Sequence, residues 1–132
     1  GAQALVFGYG VGLDLTRRDL QAIAKDRRLP WDTAKGFDRS APLSALVPAS
    51  SIADLPSRRL WLEVNGELRQ QSTLDAMVFG VGEIIAALSK LFALKAGDLI
   101  FMGTPAGVAA LQRGDTLRAG IDGIATLEGR IV

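Results

Sequence analysis

Apolar and polar positions follow two different periods along this chain, and the switches between them mark its elements. Residues 4–15 (ALVFGYGVGLDL) are rich in β-branched and aromatic side chains interspersed with glycine. They predict a buried strand whose glycines allow bends or close backbone approach. Thr16-Arg17-Arg18-Asp19 fits the capping-box spacing and predicts a helix start at Thr16, with Leu20, Ile23 and Ala24 inward and Leu29-Pro30 ending it. Pro42, Pro48 and Pro56 punctuate residues 31–56, which read as irregular chain with a short strand near 43–47. Residues 60–64 and 67–70 flank Asn65-Gly66, the preferred pair for a two-residue type I′ hairpin turn. Val78, Val81, Ile85, Leu88 and Phe92 then recur at three and four residues, joined by Ile84 and Leu91. That spacing predicts a core-facing helix, closed by Lys90, Lys95 and Gly97. A short strand at 98–102, a loop at 103–107 and two strands at about 116–121 and 124–131, turning at Gly120/Gly123, complete the pattern. Strands, a few helices and more strands, without βαβ alternation or repeats, predict one α+β, mainly β domain.

Composition narrows the chemistry more than the fold. Apolar residues make up 48% and charged residues 22% of 132, ordinary for a folded globular domain. Fifteen basic and 14 acidic residues are scattered, so neither nucleic acid nor an anionic membrane is an expected partner. The most apolar stretch, 77–94, is interrupted by Glu83 and Lys90, the mark of an amphipathic helix rather than a membrane span. With no cysteine and no histidine, the chain cannot by itself build a Ser-His-Asp triad, a Cys-His pair, a histidine zinc site or a disulfide. Any metal must be held by oxygen, which favours Mg²⁺, Mn²⁺ or Ca²⁺, and a reducing cytoplasm suits a cysteine-free chain. No signal peptide is read at the start, and Gly1-Ala2-Gln3, without Met, suggests a piece of a longer chain.

Four places could carry chemistry. Asp14 sits where the apolar run gives way to the helix, and a carboxylate there must be solvated, hydrogen-bonded or bound to a cation. It could simply cap the helix, although Thr16 competes for that role. Arg18 and Gln21, three apart in the first turns, share a face near the positive end of the helix dipole, where a substrate carboxylate would fit. A solvated polar face is the plainer alternative. Lys35, among Trp31 and Phe37, could be a charge-stabilising ammonium or a lysine that only reaches for solvent, with Asp38 as an ordinary salt-bridge partner. Gly103-Thr104-Pro105-Ala106-Gly107 offers backbone N–H groups and a hydroxyl in a tight loop, a possible anion nest or an ordinary turn, and it lacks the GK[ST] ending of a phosphate-binding loop.

Taken together, GYGVGLDLTRRDLQ, LPWDTAKGFDRSAP, LWLEVNGELRQ, EIIAALSKLFALKAGDLIFMGTPAGV and GDTLRAGIDGIATLEG resemble, in order and over essentially the whole chain, successive motifs of the fumarylacetoacetate hydrolase family. The wording is nearest its acylpyruvase and fumarylpyruvate hydrolase branch. The resemblance implies a mixed β-roll, here the C-terminal portion (1–132) of a single catalytic domain, with Mg²⁺ or Mn²⁺ held by three acidic residues. Asp14 matches the third of these. Arg18, Gln21 and Thr104 match substrate-contacting positions, and Lys35 matches a catalytic lysine close to the metal and the reacting carbonyl. The family's Glu-x-Glu ligand pair and its His–Glu base lie upstream of the Asp motif and have no counterpart here. The implied reaction is hydrolysis of a 2,4-dioxo acid, such as fumarylpyruvate, to pyruvate and a carboxylic acid. Decarboxylation of oxaloacetate, or isomerisation of an oxo-diacid, would use the same chemistry, and a catalytically incomplete binding or assembly module is the alternative from another class. A small oxo-acid partner, a homodimer, a cytoplasmic setting and a role in aromatic-ring catabolism follow from resemblance alone.

Overall fold

In the computed structural model, which describes residues 1–132, the strands are Gly8–Tyr9 (β1), Val47–Pro48 (β2), Arg59–Val64 (β3), Glu67–Thr73 (β4), Thr116–Ile121 (β5) and Ala125–Arg130 (β6). The helices are Arg18–Asp26 (α1), Asp32–Lys35 (α2) and Val81–Leu88 (α3). Asn65 and Gly66, at φ 54° and 81°, occupy the left-handed region that the type I′ turn demands, and they fold β3 against β4 as predicted. β5 pairs the other edge of β3 and β6 closes the sheet, giving the order β4-β3-β5-β6 with every pairing antiparallel. The last turn centres on Asp122-Gly123, while Gly120 lies inside β5 opposite Trp61. A Cβ on Gly120 would come 2.6 Å from the Trp61 ring, so that position admits only glycine without a shift.

The sheet's inner face decides where the site will be. Ala119 and Ile121 of β5 pack with Val11, which is 2% exposed, and Leu13, Leu60, Leu62, Ile124 and Leu127 gather round them. The chain just before Asp14 is thereby pressed onto the sheet. This is the expected α+β, mainly β architecture.

Four local expectations are corrected. Residues 4–15 are not one buried strand: 2–5 form a 3-10 turn, β1 has two residues, Gly12 makes a lone bridge to Leu43, and Leu5 and Phe7 are exposed. The first helix starts at Arg18 and ends at Asp26, and Thr16 does not cap it. Within that helix Ala24 is buried but Ile23 is exposed, so its inner face is narrower than the apolar spacing predicts. Residues 98–102 pair with no strand, so they form no ladder and no strand.

α3 forms where predicted but is shorter, ending at Leu88, and no residue of it is buried. Glu83 Oε2 accepts the Gly80 N–H at 2.7 Å and fixes its start. Val78, Phe79, Leu91 and Phe92 are exposed, and Val81, Ile84, Ile85 and Leu88 are only half-buried, so the predicted stripe is incompletely covered. The total accessible surface is 9168 Å². A compact monomer of this mass would expose about 6,700 Å². No helix is long and apolar enough to cross a membrane.

Candidate active site

The backbone carrying Asp14 is held by bonds on both sides of it. Val11 N–H donates to Ser44 Oγ at 3.1 Å, and Ser44 N–H returns a bond to the Val11 carbonyl at 2.9 Å. Leu13 N–H reaches the Pro42 carbonyl at 3.0 Å and Leu15 N–H the Ser40 carbonyl at 2.8 Å. Apolar Val11 and Leu13 face the core, so Asp14 falls on the other side of the extended chain. Its side chain is 55% exposed.

Lys35 comes to Asp14 from the last turn of α2. That short helix is docked by Ala34, which is fully buried and whose carbonyl accepts the Arg17 N–H at 3.0 Å. Arg17 also lays its guanidinium over the Phe37 ring at 4.4 Å. The Lys35 ammonium lies 2.6 Å from Asp14 Oδ1 and donates to Thr16 Oγ1 at 3.0 Å. Asp38 is not its partner. The hydroxyl that a local reading assigns to helix capping is therefore taken by a lysine 19 residues away. An ion pair this exposed contributes about 0–1 kcal/mol to stability, too little to explain its placement.

Arg18 and Gln21 meet on the first turn of α1, with Arg18 Nη1 donating to Gln21 Oε1 at 3.2 Å. Gln21 is buried and Arg18 exposed, so the amide aims a guanidinium whose remaining N–H groups stay free for an anion. Asp14, Thr16 and Lys35 thus form one linked cluster at the junction of extended chain, α1 and α2, and Arg18 and Gln21 form a pair on the first turn of α1. Thr104 stands apart from both: its Oγ1 accepts a bond from Gln70 Nε2 of β4 at 2.8 Å. Phe101, three residues before Thr104, does approach the chain that carries Asp14: a Cβ on Gly12 would sit 2.7 Å from its ring.

No three Asp, Glu, His or Cys side chains lie together as a metal-holding group. Asp14 Oδ2 makes no hydrogen bond or ion pair, and a hard cation accepts such an oxygen. The residues of this chain therefore fit a divalent ion as one arm of its coordination, with further ligands required from elsewhere. The carboxylates held below their ordinary range are not in the cluster. Asp122 is lowered by hydrogen bonds from Arg59, then Trp61, and Asp115 by the Gln112 backbone N–H, then Asn65. Both stand at turns of the sheet. An apolar hollow of about 570 Å³ between Leu88, Phe92, Leu94, Leu99, Ile100 and Phe101 contains none of the cluster residues. Two participants escape a reading of the sequence, Thr16 as a partner of Lys35 and Gln70 as a partner of Thr104. Both depend on contacts more than 15 residues apart in the chain.

Comparison with known proteins places these features in context. Residues 1–132 match the family described as fumarylacetoacetate (FAA) hydrolase, C-terminal. The mitochondrial oxaloacetate tautomerase of Rattus norvegicus is 45% identical over 130 residues, 98% of this chain and 59% of that protein. A fumarylpyruvate hydrolase of a Ralstonia species is 43% identical over 126 residues, 96% of this chain and 65% of that protein. The crystal structure of fumarylpyruvate hydrolase from Pseudomonas aeruginosa, in complex with Mn²⁺ and pyruvate, superposes with a TM-score of 0.92 at 45% identity. It is covered over 56% of its length by 99% of this chain. The chain thus spans less than two thirds of each of these proteins.

Proposed function

The chain belongs to the fumarylacetoacetate hydrolase family, and from that premise we propose that it forms the substrate-clamping wall of a metal-dependent site acting on a 2,4-dioxo acid. The reaction is hydrolysis of the C–C bond of an acylpyruvate such as fumarylpyruvate, yielding pyruvate and a carboxylic acid. The observation that carries this reading is the Asp14–Lys35 pair, at 2.6 Å, with Lys35 on a helix packed against α1, whose first turn holds the Arg18–Gln21 pair. A carboxylate with one free oxygen, an ammonium and an aimed guanidinium on adjoining elements suit a chelating 2-oxo acid.

Mg²⁺ or Mn²⁺, held in part by Asp14, would supply Lewis-acid polarisation of the 2-oxo group. Support for such an ion comes from the Mn²⁺ in the Pseudomonas relative. Arg18, oriented by Gln21, binds the substrate carboxylate. Lys35 places a positive charge where negative charge develops on the 2-oxo oxygen as the C3–C4 bond breaks. Thr104 donates a hydrogen bond to the bound acid. With no histidine, the chain binds, orients and stabilises charge, and the base that activates water comes from residues outside 1–132.

A second reading, interconversion of oxaloacetate tautomers, is favoured by the Rattus relative. It needs the same charge stabilisation but breaks no C–C bond and uses no attacking water. Incubating the complete, Mg²⁺-loaded protein with fumarylpyruvate and with oxaloacetate, followed by NMR, separates the two. Equimolar pyruvate and fumarate from fumarylpyruvate are expected. Tautomer exchange of oxaloacetate with fumarylpyruvate left intact would replace the first reading by the second, and CO₂ release from oxaloacetate would indicate a decarboxylase.

A further inference from the structure

The Gln70 amide faces two oxygens at once. Its Nε2 lies 2.8 Å from Thr104 Oγ1 and 2.7 Å from the Pro105 carbonyl oxygen. A carbonyl can only accept, so the group facing Pro105 is the NH₂ and not the amide oxygen. An amide nitrogen has two protons and accepts none, so the Thr104 oxygen must take the second bond as acceptor. The Thr104 hydroxyl proton is thereby left for another partner, and the residue is exposed. Gly107 seats the same loop. Its φ is 103°, and any Cβ there would collide with the Arg69 carbonyl oxygen, so the loop backbone rests directly on β4.

We propose that Gln70 is a positioning residue of this site, whose amide sets the Thr104 hydroxyl as a fixed hydrogen-bond donor toward an anionic oxygen of the substrate. The inference rests on the reading above, that Thr104 meets the substrate. A free threonine hydroxyl rotates and can donate or accept, whereas this one is committed before the ligand arrives. Carboxylate and oxo oxygens only accept, so the polarity matches a 2-oxo acid.

A Gln70→Glu and Thr104→Val cycle in the complete, metal-loaded protein tests this, with calorimetric Kd for pyruvate and steady-state KM and kcat as readouts. Thr104→Val is expected to raise Kd and KM roughly tenfold, the loss of one hydrogen bond to a charged group, with kcat nearly unchanged. Gln70→Glu keeps the shape, removes both N–H donors and turns the hydroxyl inward, so the same rise is expected. In the Thr104→Val background, Gln70→Glu should add nothing. If Gln70 only fastened the loop through Pro105, its replacement would cost as much in that background as in the wild type, and such additivity overturns the proposal. A normal Kd for Gln70→Glu beside a raised one for Thr104→Val overturns it too. An unchanged Kd for Thr104→Val would instead remove Thr104 from the substrate, and the proposal with it. Should the Glu variant fail to fold, Gln70→Met carries the same cycle.

Discussion

Lys35 holds its ammonium 2.6 Å from Asp14 Oδ1, and so sets a positive charge beside the carboxylate that a divalent cation would use through its other oxygen. Removing the ammonium should therefore act in two opposite directions. In the complete protein, Lys35→Met is expected to lower kcat by roughly a hundredfold or more, the scale of losing one preorganised charge-stabilising group. It should also tighten Mn²⁺ binding roughly thirtyfold, because a unit charge acting on a divalent ion at about 4 Å is worth about 2 kcal/mol in water. Kinetics and a Mn²⁺ titration read the two effects separately, and a wild-type rate would remove Lys35 from the chemistry. At this scale, Asp14, Arg18 and Gln21 stand out in one motif and Lys35 in another, and the fold pairs Asp14 with Lys35 and Arg18 with Gln21. Thr16 was misread. Its spacing to Asp19 is a local capping signal, but the Lys35 ammonium takes its oxygen and the helix begins two residues later. Only a tertiary contact could reveal that.

Strands with their own turn chemistry declare themselves; elements that depend on a distant partner do not. The Asn65-Gly66 hairpin and the β5–β6 pair form where alternation and turn residues predict them. The expected strand at 98–102 fails because a strand exists only through its ladder, and no strand of this chain pairs with it. α3 forms from its own periodicity, but its stripe is only half-buried. The β5–β6 turn also carries a testable clasp. Asp122 accepts bonds from Arg59 Nε at 3.0 Å and Trp61 Nε1 at 2.8 Å, tying the turn to β3, and these hold its carboxyl below the ordinary range, Arg59 first. A lowered folded-state value means the stabilisation is complete above the unfolded value and is lost as pH falls through the folded one. In urea melts, Asp122→Asn should therefore be less stable than wild type near neutrality. The gap should close only as pH drops below the ordinary Asp range of about 3.9. A gap that persisted unchanged in strong acid would mean that the charge on Asp122 is not what holds the turn.

The whole molecule exposes roughly 2,500 Å² more than a compact chain of its mass, an area of the size found in obligate interfaces. That surface includes the exposed side chains of Val78, Phe79, Leu91, Phe92, Leu99 and Phe101, while the relatives carry more than a third of their length beyond the matched region. The proposed chemistry is divided in the same way: Asp14, Lys35, Arg18 and Gln21 would supply one wall, Thr104 stands on a separate loop, and no three Asp, Glu, His or Cys side chains gather as a metal-holding group. The central claim is that Asp14 is one ligand of a catalytic divalent ion. Its most direct test is calorimetric titration of Mn²⁺ into the complete protein and into its Asp14→Asn variant, with melting curves to show that both are folded. Mn²⁺ affinity is expected to fall by roughly a hundredfold or more in the variant. A folded Asp14→Asn protein that binds Mn²⁺ as tightly as the wild type would contradict the ligand role of Asp14.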